Sequence, residues 1–344
     1  VGELKLGLAL GYWGAGPPPG LADLVTTAER LGYDSMWAAE AYGSDALTPL
    51  AWLGCRTRRM RLGTSIIQMS ARTPVATAMA AMTLDHLSGG RFVLGLGASG
   101  PQVVEGWYGQ PYPRPLARTR EYVAILRRAM ARERVEFEGE HYRLPYRGGS
   151  GLGKPLRSTI HPLRDDLPIL LAAEGPKNVA LAAEIADGWL AMFYSPYDDA
   201  YYRTALAEGF ARRGEGGGPE TFEVTCRVNV EFDDDVEAAA DRVRPMLALY
   251  VGGMGARGAN FHYEAFARMG FEAECARVQE LYLAGRKAEA AAAIPLAMVE
   301  KVALVGPRAK IAEELDAWRS SLVTTMLVSG DAASLAAIAE LVKG

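Results

Sequence analysis

The sequence predicts an α/β protein built as a closed (β/α)8 TIM barrel carrying insertions, and three observations lead there. Short apolar runs of β type alternate with longer helical stretches along most of the 344 residues. Eight such runs can be counted, most of them followed by a helical stretch, and none is joined to the next by a tight hairpin. Parallel strands need long crossovers of this kind, and eight of them fit a closed barrel better than an open doubly wound sheet.

The elements follow in order. Residues 4–10 read as the first strand, ahead of a helix around 21–31. Residues 35–39 form the second, with a helix around 49–57, and 61–68 the third. A helix over 74–87 starts on a proline and stops before Gly89, which takes the position just past the helix end. Residues 92–96 make the fourth strand and 168–173 the fifth, followed by a helix over 176–186. The sixth is 188–193 and the seventh 222–231. A last helix at about 307–319 leads into the eighth strand, 323–328. Two stretches fall outside this rhythm: a Gly-, Pro- and Arg-rich segment at about 134–166 and an Ala-rich helical one at about 235–304. Both read as insertions in a single domain spanning 1–344, and barrel insertions commonly decorate the end that carries the site. The helical one holds Gly252-Gly253-Met254-Gly255, a hinge or turn, and an apolar patch through Phe261, Tyr263 and Phe266. It reads equally as a layer packed on the barrel or a second subunit, and as a substrate lid.

Composition excludes several classes. A net charge of -4, from intermixed acids and bases, leaves no basic stripe for a nucleic-acid backbone. Cys55, Cys226 and Cys275 are far apart and odd in number, which reads as reduced, mostly buried thiols. The histidines, His86, His141, His161 and His262, have no metal-ligand spacing, so no metal is expected. No apolar run approaches 18 residues and no basic leader precedes the first strand; the expectation is a cytoplasmic protein with no membrane partner.

Three motifs can carry chemistry. Gly95-Leu96-Gly97-Ala98-Ser99-Gly100 matches G-x-G-x-x-G, but Pro101 and an aromatic, Pro-rich run to Pro113 follow where a dinucleotide site wants a helix, and the strand before it is the fourth. Its glycines are then read as letting backbone approach a flat ring system, or as a plain tight turn. Ala173-Glu174-Gly175-Pro176-Lys177-Asn178 ends the fifth strand and opens a helix. The N–H groups of Lys177 and Asn178 would make a phosphate site there, with Lys177 as a point charge or as a solvated surface lysine. Residues 61–68 turn polar at their C-terminal end, as barrel strands do where they line a site or simply leave the barrel.

Gly32-Tyr33-Asp34-Ser35-Met36-Trp37-Ala38-Ala39-Glu40, Gly63-Thr64-Ser65, Leu84-Asp85-His86-Leu87-Ser88-Gly89-Gly90-Arg91 and Gly95 to Gly100 occur in this order and spacing, and together resemble the bacterial-luciferase-like superfamily. With Ala173-Glu174-Gly175-Pro176-Lys177 and Ala186-Asp187-Gly188-Trp189, the chain is similar to its F420-dependent oxidoreductase branch of mycobacterial and actinomycete type. The resemblance implies a deazaflavin, F420, across the C-terminal mouth of the barrel. It implies a non-prolyl cis peptide between Ser65 and Ile66 against the ring, with Gln68, Gly97, Ala98 and Ser99 along the ring edge. Glu40, Ala41 and Tyr42 approach from the other side, and Gly175, Pro176 and Lys177 lie at the phosphate.

Relatives with Asp-His at the second strand's end differ from Glu40-Ala41 here, and a carboxylate of sugar-phosphate and pterin enzymes is replaced by Gly100. Their catalytic scheme therefore does not transfer whole. Glu40 is the candidate proton donor ahead of Tyr42 and Tyr108, or else an acceptor for backbone N–H groups. Trp13, Trp107, Tyr108, Phe193 and Tyr194 are read as an apolar substrate pocket or as core. The expected substrate is a small, uncharged or weakly polar organic molecule, and the expected assembly a homodimer or higher homo-oligomer. FMN on the same barrel is the alternative cofactor, for a monooxygenase, and a non-catalytic flavin or deazaflavin binder is a further alternative. Lys177 with backbone N–H groups and no Arg cluster suits the singly charged phosphodiester of F420 better than the dianionic phosphate of FMN.

Overall fold

The computed structural model describes residues 3–214, 217–255 and 260–344. Among them, eight parallel strands close into a barrel: β1 Lys5–Gly11, β2 Ser35–Ala38, β3 Arg61–Thr64, β4 Phe92–Gly97, β5 Ile169–Ala172, β6 Gly188–Ala191, β7 Glu223–Arg227 and β8 Thr325–Val328. Each pairs with its neighbour in sequence, and β8 pairs with β1, so no sheet edge is left open. The third strand is shorter than the expected 61–68. It breaks at a cis Ser65–Ile66 peptide and resumes as Ile67–Gln68, opposite Leu96 and Gly97. The expected seventh strand is likewise two pieces. Val228 donates its N–H to Leu327 O, and Asn229–Phe232 then leaves the barrel to pair with Ala303–Gly306.

Side chains that alternate inward fill the barrel. Trp37, Val93, Leu170, Leu190 and Leu327 form one buried cluster, with Ala9 and Ile66 packed against it. The large indole fits because two neighbours have no side chain: a Cβ on Gly63 would lie 2.2 Å from Trp37 Cε3, and one on Gly7 would lie 3.1 Å from Trp37 Cδ1. Toward the start of the strands, Arg61 donates to both oxygens of Glu223 at 2.9 and 2.6 Å, and the Thr225 and Thr325 hydroxyls donate to the same carboxylate. That end is plugged by an ion pair.

The helices around the barrel bury one stripe each. Leu21, Val25 and Ala28 do so in Leu21–Arg30, at the spacing of a single helical face. Helix Pro74–Ser88 starts as read, with Thr73 Oγ1 accepting from the Ala76 N–H, and stops at Gly89 with φ 68°. Three helices that complete the ring, Pro115–Met130, Ala200–Arg212 and Ala332–Lys343, were not among those read from sequence.

The first insertion carries a small antiparallel pair, Phe137–Glu138 with Arg143–Leu144. The second contains the helices Val236–Gly253, Phe261–Phe266, Glu272–Leu283, Lys287–Ala292 and Leu296–Glu300. It has its own apolar cluster through Val243, Leu247, Phe266, Val278 and Met298, and Phe193 from the barrel joins it. Cys226 and Cys275 are buried, but Cys55 is exposed at the end of its helix, its thiol donating to Trp52 O. No described helix is long and apolar enough to cross a membrane.

Candidate active site

The mouth is assembled from strand ends. Beyond β2, Glu40 is buried and fully engaged: Oε1 accepts from the Arg72 guanidinium at 2.6 Å and the Gln68 N–H at 3.1 Å, while Oε2 accepts from the Ala46 N–H at 3.2 Å. Gln68 returns a bond from Nε2 to Glu40 O at 3.2 Å, which fixes which end of its amide is oxygen. Glu40 thus ties the ends of β2 and β3 together and matches the acceptor reading. Ala41 O accepts from the Tyr108 hydroxyl at 2.9 Å, and the exposed Tyr42 ring lies 6.3 Å from Tyr12. Burial, then Tyr42, push the Tyr12 phenol up. Trp13 is half-buried and bonded through its backbone to Ser44.

Ser65 donates its N–H to Ala38 O, and Ile66 lies on the upper barrel cluster. The glycines of the fourth strand are used here. A Cβ on Gly95 would fall 1.7 Å from Thr64 O, and one on Gly97 2.3 Å from Ile66 Cδ1. The motif therefore lets β3 and β4 pack around the cis bond. Contrary to the sequence reading, a helix does follow it, Pro101–Gly106, but with six residues it ends at Trp107, which is exposed. Ala98 is half-buried against the core, and Ser99 has φ 59° with its carbonyl accepting from the Tyr112 hydroxyl.

Past β5, Gly175 precedes helix Pro176–Ile185, has φ -78°, and a Cβ there would meet nothing within 4 Å. Glycine is thus not demanded by the backbone, and the space above it is open. Of the two N–H groups expected to be free, that of Asn178 donates to Gly175 O; the Lys177 N–H has no partner among the described residues. The Lys177 side chain is exposed in a groove with Arg120, Glu184 and Arg212.

Two substrate-pocket expectations separate. Phe193, with φ 52°, turns toward the insertion and stacks edge-on with Tyr250 and His262. Tyr194 is corrected: it is fully buried on the opposite side, packed on Trp189, Tyr202 and Trp318, with its hydroxyl donating to Asp199 and accepting from the Leu322 N–H. Consecutive residues leaving a strand point to opposite faces, so only one of this pair can reach the mouth.

The sequence reading missed the ionisable pair of the mouth. Leu170 faces inward and the alternation carries on through Ala172 to Glu174, whose Oε1 lies 2.7 Å from His262 Nδ1. His262 arrives from the helical insertion, where Asn260 Oδ1 accepts from the His262 and Tyr263 N–H groups and Nδ2 donates to the Tyr250 and Val251 carbonyls. No spacing in the sequence joins residues 88 positions apart; the outward-then-inward count from Leu170 was the one available signal. The opposite end of the barrel has a 390 Å³ cleft lined by Asp85, Arg127 and Arg164, whose charges are already paired with Asp85, Asp187 and Arg164. No group of three or more His, Cys, Asp or Glu that could hold a metal ion occurs among the described residues.

A parallel barrel with a broken third strand, a glycine-lined fourth strand and its polar groups at the C-terminal mouth defines a class of ligand-binding α/β barrels. The chain belongs to the luciferase-like monooxygenase family, whose profile matches residues 9–325. It is 55% identical, over 96% of both chains, to a protein of Mycobacterium tuberculosis provisionally named coenzyme F420-dependent oxidoreductase. It is 31% identical to the F420-dependent glucose-6-phosphate dehydrogenase of Kineococcus radiotolerans, over 69% of this chain and 72% of that one. Among solved structures, the coenzyme F420-dependent tetrahydromethanopterin reductase of Methanopyrus kandleri superposes over 98% of both chains with a TM-score of 0.82 at 20% identity, a likeness of fold.

Proposed function

We propose that this protein is an F420-dependent oxidoreductase that transfers a hydride between the deazaflavin and a small organic substrate at the barrel mouth. The observation that carries this is a buried amide oxygen, Gln68 Oε1, that has no hydrogen-bond partner, beside the wall that the Ile66 side chain makes against Gly97. A buried acceptor without a donor costs about 1–3 kcal/mol, a cost that a ring N–H would remove. The open space at Gly175 and the Lys177 N–H suit a phosphodiester at a helix N-terminus. The 55% identical relative supports the same cofactor.

F420, when bound, supplies a ring carbon that gives or takes a hydride as a two-electron unit. The chain's own part is to hold and orient. Gln68, Gly97, Ala98 and Ser99 would border the ring, and Gly175, Pro176 and Lys177 would meet the phosphodiester. The Glu40–Arg72 pair keeps the Gln68 backbone in place, and Phe193 and Tyr250 limit water at the substrate side. The experiment is to express the protein in a host that makes both F420 and FMN and identify the copurified ligand by mass and absorption. A deazaflavin is expected. FMN alone, or a flavin that turns over with oxygen, would replace this reading with the monooxygenase one.

A further inference from the structure

We propose that His262 and Glu174 form the proton-transfer couple of this mouth, His262 as the catalytic acid–base and Glu174 as its positioning carboxylate, and that the substrate is an uncharged carbonyl compound or the corresponding alcohol. This rests on the F420 reading above.

The pair joins two parts of the chain with different origins, the end of β5 and the helical insertion. Its side chains are 10% and 8% exposed, close enough to interact at 2.7 Å but not aligned for a hydrogen bond. His262 Nδ1 and Glu174 Oε2, the carboxylate oxygen outside this contact, are both buried without a hydrogen-bond partner, and with Gln68 Oε1 they put three of the five such atoms among the described residues at this mouth. His262 Nε2 has no protein partner among the described residues. A purely structural histidine normally satisfies both ring nitrogens, so two unmatched polar groups buried side by side mark a place for a third.

The surroundings leave His262 as the group able both to donate and to accept a proton. Tyr250 from helix Val236–Gly253 and Phe193 and Phe261 enclose its ring. Arg227 at the end of β7 and Tyr12 face Tyr250, while Tyr202 interacts with both Arg268 and Glu174. Burial first, and then the Glu174 charge, push the Tyr202 phenol up to about 12, and burial also raises Tyr250. Both phenols therefore stay protonated, and imidazole is the group that can donate and accept.

The substrate class follows from what a hydride leaves behind. A cationic acceptor such as an iminium ion is neutralised by hydride and needs no acid. In a carbonyl, the carbon gains the hydride furnished by the reduced deazaflavin and the C=O π pair moves to oxygen. That oxygen then takes the proton from His262 Nε2. Imidazolium becomes imidazole, which Glu174 keeps oriented, and solvent restores the proton. Alcohol oxidation is the reverse. The surrounding Phe193, Phe261 and Tyr250 rings suit a substrate without charge.

The test uses the holoenzyme with F420 affinity measured first by fluorescence, so that failure to bind the deazaflavin is seen as failure of the functional reading itself. Oxidation of reduced F420 is then followed with a panel of ketones and aldehydes for wild type, His262→Gln, Glu174→Gln and Glu174→Asp between pH 6 and 9. The expected result is carbonyl-dependent oxidation in the wild type and a fall in kcat of at least about 100-fold in His262→Gln. F420 affinity should stay within threefold, the pH limb should vanish in His262→Gln, and Glu174→Asp should recover part of what Glu174→Gln loses. Unchanged kcat and pH profile in His262→Gln would reduce the pair to a latch on the insertion, and no oxidation by any member of the panel would overturn the substrate class.

Discussion

Gly97 and Ile66 meet so closely that a Cβ on the glycine would lie 2.3 Å from Ile66 Cδ1. The fourth strand's glycine is thus sized to the residue after the cis bond. Gly97→Ala should push Ile66 out of the wall, lower stability by about 1–3 kcal/mol, and weaken F420 binding at least tenfold. Denaturant melts and fluorescence titration read the two effects, and wild-type affinity in a folded variant would show that this wall does not meet the ring.

Gly175 gives the opposite expectation for folding. Its φ of -78° suits any residue and its Cβ position is empty, so Gly175→Val should leave the thermal midpoint close to wild type. It should nevertheless weaken F420 binding, because the valine side chain would stand where the phosphodiester approaches the helix N-terminus. Unchanged affinity would move the phosphate elsewhere.

How far the sequence could be read follows from which forces act locally. Alternation and caps are local, so the strands and helix Pro74–Ser88, with Thr73 before it and Gly89 after it, were legible. Helices Pro115–Met130 and Ala332–Lys343 were missed. The first begins straight after the Pro-rich run that had been read as loop, and the second lies beyond the eighth strand, where the strand count had already closed. Asp85 and Asp187, conspicuous in the family blocks, turned out to bond Phe92 and Ile169 N–H groups and to pair with Arg164 and Arg127 at the closed end. Their motif strength came from building the barrel. His262 was invisible as a site residue because its partner is supplied by tertiary packing.

The ion pair inside the barrel makes a pH prediction. Burial raises the Glu223 carboxyl, but Arg61 and the Thr325 and Thr225 hydroxyls more than offset this and hold it below the usual carboxylate range. A lowered folded-state pKa gives stability that is present above the unfolded value and lost as pH falls through the folded one. Arg61→Met removes the offset and leaves burial, so its deficit should be about 3 kcal/mol at pH 7, toward the low end because both side chains keep some solvent contact, and should shrink on acidification. Urea titrations at pH 7 and pH 4 measure it; an equal deficit at both would assign the loss to packing.

Tyr194→Phe separates core from pocket. Loss of the hydroxyl leaves the Leu322 N–H without its acceptor, which should cost about 1–2 kcal/mol of stability. F420 affinity and turnover should not change. A kinetic defect without a stability defect would return Tyr194 to the substrate pocket.

The central claim is that the mouth is built for a deazaflavin with a phosphodiester tail, and equilibrium titration of the ligand-free protein with F420 and with FMN, side by side, tests it most directly. Saturable 1:1 binding of F420, with no measurable binding of FMN over the same concentrations, is the predicted result. Tight FMN binding with no measurable F420 binding would contradict it, leaving the barrel standing without the proposed activity.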